Sequence, residues 1–164
     1  MQITNYQLLA DNGNVIQTIP KLATKQTIRV WEVPTDYQAD GYFISNNNAI
    51  PACDHGEPIF TEELEADEEL VAKELFNTKV ANYSNFVQIH LDTVAKAKGY
   101  DSLLSACSYV NSVNNTFKAD GLAAVAWRDG VWEVCYNYLQ EVEAGTKLEP
   151  SEQELTSLLP TITW

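Results

Sequence analysis

The sequence predicts an α+β protein in which a small antiparallel β-rich N-terminal module precedes a helical C-terminal bundle of about four helices. Short apolar runs separated by turn residues make up roughly the first 55 residues, whereas apolar residues recur at helical spacing from Ser84 onward. An acidic segment separates the two patterns. We therefore predict a β-rich head over residues 1–58, an acidic connecting helix or linker over 59–82 and a helical module over 83–164.

The predicted head begins with a hairpin. Apolar runs at 6–10 and 15–20 flank Asn12-Gly13, and an Asn-Gly pair favours a tight turn because both residues tolerate positive φ. A third strand is predicted at 27–33, just before Pro34. The runs 42–44 and 49–52 flank a polar stretch and predict a second hairpin.

The connecting segment is predicted to form a helix over 62–76. Thr61 is a suitable N-cap, and Glu62 and Glu63 would then lie in the first turn, where the helix dipole favours acidic residues. A thin apolar stripe, Leu64, Leu70, Val71 and Leu75, would face the protein.

This segment also holds most of the charge of the chain. The net charge is −13, and residues 57–74, with eight acidic residues and one lysine, carry −7 of it. These acids form either a solvated helix face or linker, or a surface for a basic partner or for DNA mimicry. Glu63, Asp67 and Glu69 are the candidate contact residues of such a surface.

Four further patterns predict the helical module. A helix from Ser84 would stop at Gly99, and Asp101 would cap a second helix. Thr116 would open the longest element, which we expect to be the central helix because its apolar face is wide. Ser151 begins a Ser-Glu-Gln-Glu capping box before the last helix.

The composition excludes several classes of partner. Duplex nucleic acid and anionic membranes are bound through clustered Lys and Arg, so an acidic chain predicts neither. The chain shows no signal peptide and no apolar run of roughly 18 residues that could span a membrane. Three cysteines without a CxxC motif suit a reducing compartment.

Few residues fit a catalytic or metal-binding pattern. Cys53 and His55 offer a thiol and an imidazole, but a zinc site needs about four ligands. His90 lies at the edge of a helical apolar face, where a packing histidine is expected. We therefore predict no metal, no cofactor and no enzymatic activity.

Two further groups suggest structure or recognition. Arg128 lies in the apolar face of the third helix, where a guanidinium needs a carboxylate; Asp101 is the first candidate for a buried polar clamp, and Asp92 the second. Recognition of an anion or a partner is the alternative role of Arg128. Exposed aromatic rings would be interface anchors, and Trp31 and Trp164 are the candidates.

The helical half also carries a series of short motifs in a fixed order. They are VQIHLD at 87–92, KGYDSLLSACSY at 98–109, AWRDGVW at 126–132, AGTK at 144–147, PSEQEL at 150–155 and LP at 159–160, before Trp164. In these motifs, residues 84–164 resemble a C-terminal module of tailed-bacteriophage tail-fibre-associated proteins. The resemblance implies expression in the host bacterial cytoplasm and assigns no catalytic residue.

These observations lead to two hypotheses about function. The first is a bacteriophage tail protein that binds a tail-fibre or baseplate component, as an assembly chaperone or an accessory part of the virion tail. The second is an acidic phage-encoded inhibitor that mimics DNA and blocks a host defence or nucleic-acid enzyme. A homo-oligomer is compatible with either.

Overall fold

The computed structural model describes residues 1–52 and 54–164 and confirms the α+β fold class. Its described part contains two antiparallel sheets of three strands each, followed by four α-helices. The chain divides into two compact units, Met1–Thr78 and Lys79–Trp164. The first unit contains the sheets, and the second contains most of the helical residues.

The first sheet is formed by β1 (Gln2–Thr4), β2 (Gln7–Leu9) and β3 (Val15–Thr18), in that order. The hairpin predicted around Asn12-Gly13 is confirmed, because β2 pairs with β3 and Gly13 has a φ of 83°. Strand β1 was not predicted. It turns into β2 through Asn5 and Tyr6, both of which have positive φ.

The second sheet has β4 (Gln26–Glu32) between β5 (Tyr42–Asn46) and β6 (Phe60–Leu64). The predicted third strand is thus confirmed as β4. The predicted second hairpin is wrong: β5 pairs with β4, and residues 49–52 form no strand. The chain reverses earlier than expected, near Gly41, whose φ of 75° favours glycine.

The acidic segment begins with a strand, so the predicted helix start at Thr61 is wrong. Phe60, Glu62 and Leu64 are half-buried, whereas Thr61 and Glu63 are exposed, which is the alternation of a strand with one covered face. Helix α1 (Glu68–Lys98) follows, so the predicted helix start at Ser84 is also wrong. With 31 residues α1 is the longest element, and the prediction that the longest element opens at Thr116 is wrong, because the helix there has 29 residues.

One hydrophobic core serves both sheets. Its buried members come from β2, from the residue that follows β3 and from β4: Leu8, Ile19, Ile28 and Val30. Partly buried apolar side chains from the other strands, together with Met1 and Tyr6, pack against them. Burial of these side chains is the main force that holds the short strands together.

The second unit is built from the rest of α1, α2 (Leu103–Cys107), a 3₁₀ turn (Ser108–Asn111), α3 (Asn115–Glu143) and α4 (Glu152–Leu158). The predicted stop at Gly99 and the capping box at Ser151 are confirmed. Ser102, not Asp101, caps α2. All four helices supply core residues, among them Leu91, Leu103, Trp127 and Leu155.

Candidate functional site

The acidic candidates of the first unit lie on its surface, but they are not equally free to bind. Glu63 is exposed on β6, and Glu69 is exposed in the first turn of α1. Asp67 is engaged within the unit: Lys21 Nζ lies 2.8 Å from its Oδ2, and the backbone N–H of Leu70 donates to its Oδ1. Asp67 therefore caps α1 and is a structural residue.

Trp31 is buried and thus unsuited to the anchoring role that the sequence suggested. Only 4% of the residue is exposed, its Nε1–H donates to the Gly56 carbonyl at 3.1 Å, and its ring contacts Phe43 edge-on. A side chain covered by its own fold offers no surface to a partner.

The predicted clamp between Arg128 and Asp101 is not formed. The Nε and Nη2 groups of Arg128 donate to the Asp129 carboxylate at 2.9 and 2.8 Å, and the Arg128 side chain is 38% exposed. Asp101 is exposed. Asp92 instead accepts from the backbone N–H of Leu103 at 2.9 Å. Arg128 lies at the edge of the apolar face, where its guanidinium reaches solvent.

The sequence's candidates for chemistry form no site in the described residues. Cys53 lies outside them, and the His55 ring contacts Tyr37. His90 is half-buried beside the Trp127 ring, as expected of a packing histidine. Within residues 1–52 and 54–164, no three His, Cys, Asp or Glu side chains cluster as metal ligands would. No helix of this part is long and apolar enough to cross a membrane.

Trp164 belongs to an aromatic row in the second unit, which consists of Trp164, Tyr100, Tyr109 and Phe117. Trp164 stacks on Tyr100 with ring centroids 6.0 Å apart, Tyr100 contacts Tyr109 at 5.5 Å, and Tyr109 meets Phe117 edge-on at 5.6 Å. The row joins residues from four separate parts of the chain. Such ring pairs each add about 0.5–1.5 kcal/mol beyond burial, so they stabilise this arrangement of the rings.

A buried carboxylate lies behind the aromatic row. Asp120 is 7% exposed; the Tyr100 hydroxyl donates to its Oδ2 at 2.9 Å, and Lys98 Nζ lies 3.5 Å from its Oδ1. Burial, together with the bond to Asp120, raises the pKa of Tyr100. Lys98 also lies over the Trp164 ring. These contacts fix Tyr100, and through it the neighbouring rings.

The outer end of the aromatic row is open. Tyr109 and Phe117 are 38% and 46% exposed, and Val113, in the loop between them, is fully exposed. Adjacent exposed rings on a rigid support are typical of protein-binding hot spots. The sequence predicts that exposed aromatic rings act as interface anchors, but it does not show which rings stay uncovered.

A groove in the first unit is a second candidate. It has a volume of about 460 Å³ and is lined by residues of β1, the β1–β2 turn, the end of β6 and nearby segments: Ile3, Asn5, Tyr6, Lys21, Leu64, Glu65 and Ala66. Sequence reasoning missed it because β1 and β6 were not recognised as strands. The turn-forming Asn5 was the one local signal for β1.

Comparison with family models, with curated proteins and with solved structures found no match to this chain.

Proposed function

We propose that this protein is a bacteriophage tail protein that binds a tail-fibre or baseplate component, as a fibre assembly chaperone or an accessory part of the virion. It acts by binding, in the host bacterial cytoplasm during assembly, and not as an enzyme. The motifs that resemble the tail-fibre-associated module support this proposal. Their apolar residues include Leu91, Leu103, Trp127 and Leu155, which pack into one core.

The observation that carries the proposal is the exposed pair Tyr109 and Phe117. The two rings contact each other, Tyr109 also contacts Tyr100, and Val113 beside them has no cover from the rest of the unit. Apolar rings held in place lose little entropy when a partner covers them, so they supply much of the binding energy of an interface.

The acidic-inhibitor hypothesis receives less support from the same structure. Lys21 pairs with Asp67 and Lys25 pairs with Glu65, at 2.8 and 2.7 Å. A DNA mimic needs a series of unpaired, exposed carboxylates, and in this acidic segment lysines pair with two of them. The exposed rings also have no role in mimicry.

The proposal is tested by co-expression with the fibre protein encoded nearby. The tagged wild-type protein should retain the fibre protein on affinity resin, and Tyr109→Ser or Phe117→Ser should weaken binding at least about tenfold. Tyr136→Ser, which removes an exposed ring elsewhere on α3, is the matched control and should bind normally.

Two outcomes would count against this function: a wild-type protein that ignores the fibre, or binding that is unchanged in both ring variants. Mass spectrometry of purified virions separates the two forms of the proposal. Presence of the chain identifies a virion part, whereas absence together with fibre loss in a knockout identifies a chaperone.

A further inference from the structure

The groove of the first unit lies beside two open sheet edges. β1 is the outermost strand of the first sheet, and β6 is outermost in the second. In the described residues each pairs on one side only, β1 with β2 and β6 with β4. The groove contacts both strands, through Ile3 of β1 and Leu64 of β6. Open edges present unpaired N–H and C=O groups that can bind another strand.

The lining of the groove is partly polar and partly apolar, and Lys21 Nζ lies over the Tyr6 ring. Ile3, Tyr6 and Leu64 are its large apolar members, and all three pack against the core of the unit. Tyr6 has a φ of 58°, at a turn position where glycine or asparagine is usual. An incoming strand would place the apolar side chains of one face against Ile3, Tyr6 and Leu64.

The acidic charge at the edge of β6 determines which side chains fit on the second face of the incoming strand. Glu63 of β6 is exposed on the face of the strand that points away from the groove, and within the described chain it has no lysine or arginine nitrogen within 4.0 Å. Lys21 and Lys25 are engaged by Asp67 and Glu65. Across neighbouring strands, opposite charges attract and like charges repel. A second copy of this acidic chain is thus a poor occupant, and a basic segment is complementary.

We infer that an extended, basic segment of another protein binds as an added strand at the open edge of β6. Its apolar side chains enter the groove, and its Lys or Arg side chains face Glu63. This inference concerns the first unit alone and does not depend on the fibre partner proposed above. Binding of this segment requires main-chain hydrogen bonds and positive charge, and a control peptide can lack either one separately.

The test uses the full chain and a fluorescent peptide of about seven residues in which lysine alternates with valine or threonine. One control peptide has the same sequence with alternate backbone amides N-methylated, which removes the donors needed for strand pairing. A second control replaces lysine by glutamate. Fluorescence anisotropy measures affinity, and amide hydrogen exchange followed by NMR locates the bound peptide.

The lysine peptide should bind at least about tenfold more tightly than either control, and it should slow exchange of β6 amides. Glu63→Lys should weaken binding about tenfold, whereas Glu133→Lys, the same charge change on α3, should not. Equal affinity for the N-methylated peptide, protection that does not include β6, or no saturable binding up to about 1 mM would overturn the inference.

Discussion

The Asp67 carboxylate performs two tasks at the start of α1. It accepts from the backbone N–H of Leu70 at 3.2 Å and pairs with Lys21 at 2.8 Å. The hydrogen bond from Lys21, joined by that from Leu70, lowers the pKa of Asp67, and the same pair raises the pKa of Lys21. Because the pKa of Asp67 is lower in the folded chain than in the unfolded chain, its charge stabilises the fold at neutral pH.

Asp67→Asn tests this contribution at the scale of one residue. Asparagine can still cap the helix, so the variant removes mainly the charge. The variant should unfold more readily than wild type at pH 7, as measured by exchange of β4 amides. Above the unfolded-state pKa, near 4, the difference is complete, and it disappears as the pH falls through the folded pKa. A difference that grows on acidification would contradict the assignment.

At the scale of elements, α3 and the 3₁₀ turn approach each other closely at Gly121. A Cβ at this position would lie 2.5 Å from the Val110 nitrogen and 2.6 Å from the Tyr109 carbonyl carbon. Both are backbone atoms, so relief requires a shift of the whole turn. The absence of a side chain at Gly121 thus positions Tyr109, which belongs to the proposed binding surface.

Gly121→Ala should therefore lower the free energy of unfolding by about 1–3 kcal/mol, even though alanine favours helix by about 1 kcal/mol. Gly130→Ala on the same helix is the matched control, because its Cβ would lie 3.7 Å from Pro160 Cγ, an ordinary contact. It should be neutral or stabilising by up to about 1 kcal/mol. Urea denaturation followed by circular dichroism measures both, and equal effects would refute the close approach.

The elements that the sequence predicted well are those with strong local signals. Three such signals act within a few residues: the turn at Asn12-Gly13, the helix end at Gly99 and the capping box at Ser151. The structure has this turn, this helix end and this helix start at the predicted positions. The start of α1 was missed because Glu62 and Glu63 fit a first helical turn as well as a strand. Pairing with Thr27 and Ile28 of β4 decides between the two, and such long-range pairing is not visible in a local pattern.

The candidate site was harder to predict than the fold, since exposure depends on the whole unit. Trp31 and Trp164 are equivalent as residue types, yet Trp31 is buried against Phe43 and Trp164 is half-buried beside Tyr100. Arg128 pairs with the carboxylate of the adjacent Asp129 and not with that of Asp101. Composition identifies such side chains as candidates, and only packing decides which of them reach a partner.

At the scale of the whole molecule, the two units have separate hydrophobic cores, although α1 runs through the boundary between them. The core of the second unit draws every buried member from residues 87–159. A core that is complete within one stretch of chain does not need the rest of the protein for its burial. We therefore predict that residues 79–164 fold when expressed alone.

The isolated segment should show helical circular dichroism and one cooperative unfolding transition in urea. Leu91→Ala, which empties a fully buried position, should lower its stability by about 2–5 kcal/mol. Ile89→Ala on the same helix removes an exposed side chain and should cost less than about 1 kcal/mol. A segment without a cooperative transition, or one equally sensitive to both substitutions, would show that the core of the second unit is not independent. A folded segment that also retains the fibre protein would assign the proposed binding surface to this unit alone.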